Sequence, residues 1–200
     1  MTRKRLLERY ATAEDGRIAV DVSVPGVEHL YNDFDRASPF VKKDLADEFA
    51  DYLADSAREI GRHGFVIRIN LERLPDETIM ERVRRSTGNF FRYLAERERV
   101  ARRKMFRTFA LLASAGFFLL GLDLWLNRAF AGRSGVIGGV FLEGLTIAAW
   151  VAIWEALAIL LVHWAAHNRD IRTYGRLANA AIEFRPAFTT VGGSSRQDAP

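Results

Sequence analysis

Apolar residues in the first half of the chain recur in short periods among charged ones, whereas Thr108 to Val162 is apolar almost throughout. Arg17 to Val24 alternate: Ile18, Val20, Val22 and Val24 point one way, Arg17, Ala19, Asp21 and Ser23 the other. That period predicts a half-buried strand, closed by Pro25 and Gly26. Ser38 followed by Pro39 marks a helix start, and Val41, Leu45, Phe49, Leu53 and Ile60 then recur at helical spacing until Gly61. Phe65, Ile67, Ile69 and Leu71 alternate with Val66, Arg68 and Asn70, a second strand ending before Pro75.

Asp76 is placed to cap a further helix whose apolar stripe is Met80, Val83, Phe90, Phe91 and Leu94. No proline follows until Pro186, so this helix is expected to continue into the apolar region as one rod, with Gly88 its weak point. Ile171 to Ala180 reads as a short helix, and Ala181 to Arg185 as a third strand ending before Pro186. A strand that short needs a sheet to join, and the only other strands precede the apolar region. The tail VGGSSRQDAP has the composition of a disordered segment.

Thr108 to Leu126 and Val136 to Val162 each reach the roughly 20 apolar residues that a membrane-crossing helix needs. The fold class expected is an α+β cytosolic domain of about three strands, one packed helix and one long helix, fused to a two-helix transmembrane hairpin. Its parts are a basic segment 1–16, the cytosolic domain 17–105, spans 106–128 and 136–164 joined by an extracytoplasmic turn 129–135, a return segment 165–186 and a tail 187–200. Arg97, Arg99, Arg102, Arg103, Lys104 and Arg107 precede the apolar stretch from Thr108, and Arg169, Arg172 and Arg176 follow the second, whereas the hairpin between the two stretches offers only Arg128 and Arg133. Basic residues stay on the cytoplasmic side, so a multi-pass cell-membrane protein with both termini cytoplasmic is expected. The N-terminal MTRKRLLERYATAEDG lacks a continuous apolar region, so the first span is expected to direct insertion itself.

Composition narrows the chemistry. The absence of cysteine excludes disulfides, thiolate metal sites and a cysteine nucleophile. The net charge of +4 is accounted for by the cluster Arg99, Arg102, Arg103, Lys104 and Arg107, suited to anionic lipid head groups. No strip of interleaved aromatic and basic residues points to nucleic acid. Nucleophile-elbow and phosphate-loop signatures are missing too, so neither an enzyme nor a cofactor is expected.

The polar residues inside the apolar stretches are the functional candidates, because charge in a bilayer is costly. On the second span Gly144, Ala148, Ala152 and Ala156 form a small-residue stripe for helix packing, with Glu155 within it, predicted to face another helix. Glu155 either lines a cation or proton path or is tied structurally, for example to Arg107 at similar depth. Glu143 shares a sector with Trp150 and Trp154 and is expected to reach toward head groups. Asp123 is either a polar cap tied to Asn127 or, with Glu143, part of an acidic ring repeated around an oligomer. His163, His167 and Asp170 fall on one helical side at a spacing compatible with a metal, but lack the glutamate of a zinc-protease helix, and no metal is expected. Two classes of function follow. One is a non-enzymatic, membrane-anchored binding or scaffold module that self-associates in the bilayer and meets a cytosolic protein partner; the other is an oligomeric cation or proton channel or transporter.

Overall fold

The computed structural model describes residues 7–32, 44–130 and 136–187. Among them the chain is a mixed α/β protein with a four-stranded sheet and three helices, two of which are long and apolar enough to cross a membrane. It divides into two compact units: Met1–Leu94 with Thr173–Pro200, and Ala95–Arg172.

The sheet belongs to the first unit. Its strands β1 (Ala11–Thr12), β2 (Ile18–Val24), β3 (Phe65–Leu71) and β4 (Ala181–Pro186) lie side by side in that order. β2, β3 and β4 stand where the alternation predicts strands. Two features depart from the α+β expectation of about three strands. β1 is a fourth strand, too short to show a period, paired antiparallel with β2. The other three run parallel, with Val20 opposite Ile67 and Ile67 opposite Ile182. Parallel neighbours need crossover connections, and helices supply both. Helix α1 (Asp47–Ile60) links β2 to β3, while α2 (Glu77–Ala129) and α3 (Val136–Ala178) together link β3 to β4.

Within the described residues α1 begins at Asp47; Ser38 and Val41 of the expected start lie outside them. Leu45 is extended, bridged to Tyr31 and fully buried, so its apolar spacing serves the core and not the helix. The inner face of α1, formed by Phe49, Leu53, Ala57 and Ile60, joins Val20, Ile67, Ile69 and Ile182 of the sheet in one core with Val83 and Phe91 of α2 and Leu177 of α3. Each large side chain closed off there contributes roughly 1.5–3 kcal/mol. Phe91 stacks on Tyr174 at 6.3 Å and meets Phe90 edge-on at 5.5 Å. Beside them the Tyr31 hydroxyl lies 2.6 Å from Ser86 Oγ, which donates to the Val83 carbonyl at 3.1 Å, leaving Tyr31 as the donor to Ser86. Burial pushes the Tyr31 phenol above its ordinary pKa.

The Asp76 carbonyl accepts the first helical bonds of α2 from Ile79 and Met80, and the helix then runs unbroken for 53 residues, about 80 Å. The helix passes through Gly88 without a break. A Cβ there would stand 3.2 Å from the Ala178 carbonyl, so the position is held small by the close passage of α3. The segment expected as a separate short helix after the second span is the last part of α3, which is continuous for 43 residues. Near its end Arg176 donates to the carbonyls of Ala57, Gly61 and His63 and lies 4.9 Å over the Phe65 ring. It ties together the carbonyls at and just beyond the C-terminal end of α1, Ala57 among them already accepting from the Gly61 N–H, work that its reading as a membrane-flanking charge did not include. Burial lowers its pKa. Arg84 of α2 holds β4 in a similar manner, donating to the Ile182 carbonyl and lying 5.3 Å from the Phe184 ring centre. The tail after residue 187 and the turn residues 131–135 lie outside the described residues.

Candidate functional site

The second unit pairs the apolar parts of α2 and α3. Among the buried and half-buried positions of α2 from Ala95 onward, one series runs Ala95, Glu98, Arg102, Met105, Phe109, Leu112, Gly116, Leu119, Asp123 and Leu126, with Ala101, Ala113, Leu120 and Leu122 half-buried beside it. Steps of three and four alternate throughout, which is the 3.5-residue period of a helix-packing seam. On α3 the corresponding series is Leu142, Leu145, Ala149, Ala152, Ala156 and Ile159. The closest approach is at Gly116, where a Cβ would fall 2.6 Å from Ile153 Cγ1 and 3.1 Å from the Ala149 carbonyl. Only a hydrogen atom fits there, so this glycine sets how near the two helices come.

The seam differs from the small-residue stripe read from the sequence. Ala152 and Ala156 take part in it, but Gly144 and Ala148 are exposed, and a Cβ added at Gly144 would touch nothing. The inner position is Ala149, which is fully buried. Glu155 therefore lies on the outer surface of the helix pair, and no ion pair joins it to Arg107, itself exposed. Its neighbours on that surface are apolar: Val151 is exposed and Trp154 is 72% accessible. Glu143 is exposed as well, on the same helix as the exposed Trp150.

Asp123 is the opposite case. Only 6% accessible, it sits in the seam and accepts a hydrogen bond from Asn127 Nδ2 at 3.4 Å. No hydrogen bond links it to Glu143. At the other end of the pair two polar contacts cross between the helices: His167 Nδ1 lies 2.7 Å from Glu98 Oε2, and Arg102 Nη1 donates to Asn168 Oδ1 at 2.6 Å. Arg102 is thereby taken inward from the basic cluster. Arg99 pairs with Glu96 at 3.0 Å, while Arg103, Lys104 and Arg107 stay exposed.

The histidines do not converge. His163 Nδ1 contacts the Ile159 carbonyl at 3.2 Å while His167 turns to Glu98, and among the described residues no group of three or more His, Cys, Asp or Glu is arranged to hold a metal. Sequence reasoning missed Glu98, Asn168 and Gly116, whose places in the seam show only when the two helices are read together. Comparison with protein-family models, with curated proteins and with solved structures gives no match in any of the three.

Proposed function

We propose that this is an integral two-span membrane protein, multi-pass in the cell membrane with both termini cytoplasmic, acting as a non-enzymatic anchored scaffold. In this reading α2 and α3 cross the bilayer, the sheet unit meets a cytosolic protein, and copies associate through the outer face of α3. The basic residues flanking the spans support the orientation. The observation that carries the association is Glu155, a carboxylate on an outer surface otherwise made of groups such as Val151 and Trp154. Insertion scales put the cost of a central charged residue at about 2.5–3.5 kcal/mol, and a protein neighbour that supplies hydrogen bonds reduces it. Gly144 and Ala148, exposed on the same helix, leave room for such a neighbour to come close.

The test is the mass of the purified protein in lipid nanodiscs. An oligomer is expected for the wild type and for Glu155→Gln, which keeps a hydrogen-bonding group, and a monomer for Ala148→Trp. A monomeric wild type refutes association through α3. The same exposed carboxylate favours a second reading, in which several copies enclose a cation or proton path lined by Glu155. A closed assembly whose flux in proteoliposomes falls in Glu155→Gln would support it, since two helices alone enclose no path.

A further inference from the structure

Among the described residues, β2 is left partly open at its outer edge. β1 pairs with it only through Ala11 opposite Ala19 and Thr12 opposite Ile18. The Arg17 carbonyl accepts from the Ala13 N–H on that side, so alternate residues of β2, including Asp21 and Ser23, turn their backbone polar groups outward. Beyond Ala19, no described strand pairs with this edge; the Asp21 carbonyl accepts from the Tyr52 hydroxyl at 3.2 Å. Alongside lies a cleft of about 310 Å³, walled by Tyr10 and Asp21 on one side and by Tyr52, Asp55, Ser56 and Glu59 of α1 on the other. The four α1 residues are spaced as one helical face.

A strand edge left partly open beside a helix is the arrangement by which a sheet takes up an extended peptide: the backbone gives affinity and the flanking side chains give specificity. Here the flanks are acidic. Glu59 is oriented by the Tyr10 hydroxyl at 2.8 Å, Asp55 by Arg58 at 2.8 Å and Asp21 by Arg68 at 3.3 Å, each through one oxygen, and Arg9 is the one cation in the lining. A second copy of this chain is the wrong occupant, because pairing edge to edge would set these carboxylates against themselves. We propose that the cleft binds an extended, lysine- or arginine-bearing segment of a partner protein as an added strand on β2. This rests on the reading of the sheet unit as the binding part of an anchored protein, and it names the site and the chemistry of what binds.

The test uses the full chain in nanodiscs of zwitterionic lipid and a fluorescent peptide of about six residues, the usual strand length, alternating lysine and valine. Saturable binding by anisotropy is expected. Replacing lysine by glutamate, or N-methylating alternate peptide amides, is expected to weaken it by about ten-fold or more. The double variant Asp55→Lys with Glu59→Lys should lose binding to the same extent, while Glu72→Lys, outside the lining, should not. Should the double variant fail to fold, Ser23→Pro removes one outward N–H and serves instead. No saturable binding overturns the site, equal affinity for the N-methylated peptide overturns strand addition, and equal affinity for the glutamate peptide overturns the acidic selection. The nanodisc mass is read separately, so the anchored-scaffold reading stands or fails on its own result.

Discussion

In the sheet unit Leu45, Leu53, Ile60, Ile67 and Phe91 are closed off from their surroundings, whereas in the helix-pair unit Phe117, Trp125 and Trp154 remain more than half exposed. The sequence supplies apolar residues to both, but only the first unit has enough layers to cover them. Of the most apolar window in each long helix, 11% is buried within the chain. A surface of that kind is stable against lipid or another protein and not against water. The pattern inverts for polar groups. The sheet unit keeps most of its charges at the surface, while the helix pair draws Asp123, Glu98 and Arg102 into its seam and leaves Glu155 outside among apolar neighbours.

The comparison breaks most sharply by truncation. Deleting the residues after Asn179 removes β4, and with it Ile182 and Phe184 from the edge of β3. The sheet unit is then expected to lose its cooperative thermal transition, while the far-UV helical signal of the two long helices persists in nanodiscs. An unchanged melt would show that β4 is dispensable. Gly116→Leu should act on the other unit. Overpacking at the closest approach is expected to destabilise the helix pair by about 1–3 kcal/mol, read as earlier loss of the helical signal in detergent, with the sheet transition in place. The smallest effect is at Tyr31. Its pKa is raised in the folded protein, so above the ordinary value of 10.0 the unfolded chain releases this proton first, and stability falls as pH rises from there. Tyr31→Phe is expected to cost about 1 kcal/mol at neutral pH and to make that alkaline decline shallower. An unchanged slope would place the titration elsewhere, Tyr10 being another tyrosine raised by burial.

Strands β2, β3 and β4 were legible because a period of two is written into their residues. Direction is not: alternation is identical for parallel and antiparallel neighbours, and the parallel sheet follows from the connections. Leu45 misled the reading of α1 because burial was inferred correctly from spacing, but helix was inferred along with it. On the second long helix, a wheel drawn at 3.6 residues per turn groups Gly144, Ala148, Ala152 and Ala156 without saying which sector meets a neighbour. The contact falls on Ala149 and Ala156, set by Gly116 on the other helix and by a 3.5-residue spacing visible only when both are read together. The inward turn of Glu98 to His167 and of Arg102 to Asn168 was illegible for the same reason, since a basic cluster read alone shows only its charge.

The crossover from β3 to β4 also orders events in time. A ribosome delivers β2 and β3 first, and the strand that completes their edge emerges only after both long helices have been made. On the proposed two-span topology, a chain that had threaded one helix but not the other would leave β4 on the wrong side, unable to reach its place beside β3. A finished sheet would then be a receipt for correct threading, and a half-threaded chain would advertise itself to proteolysis through the bare flank of β3.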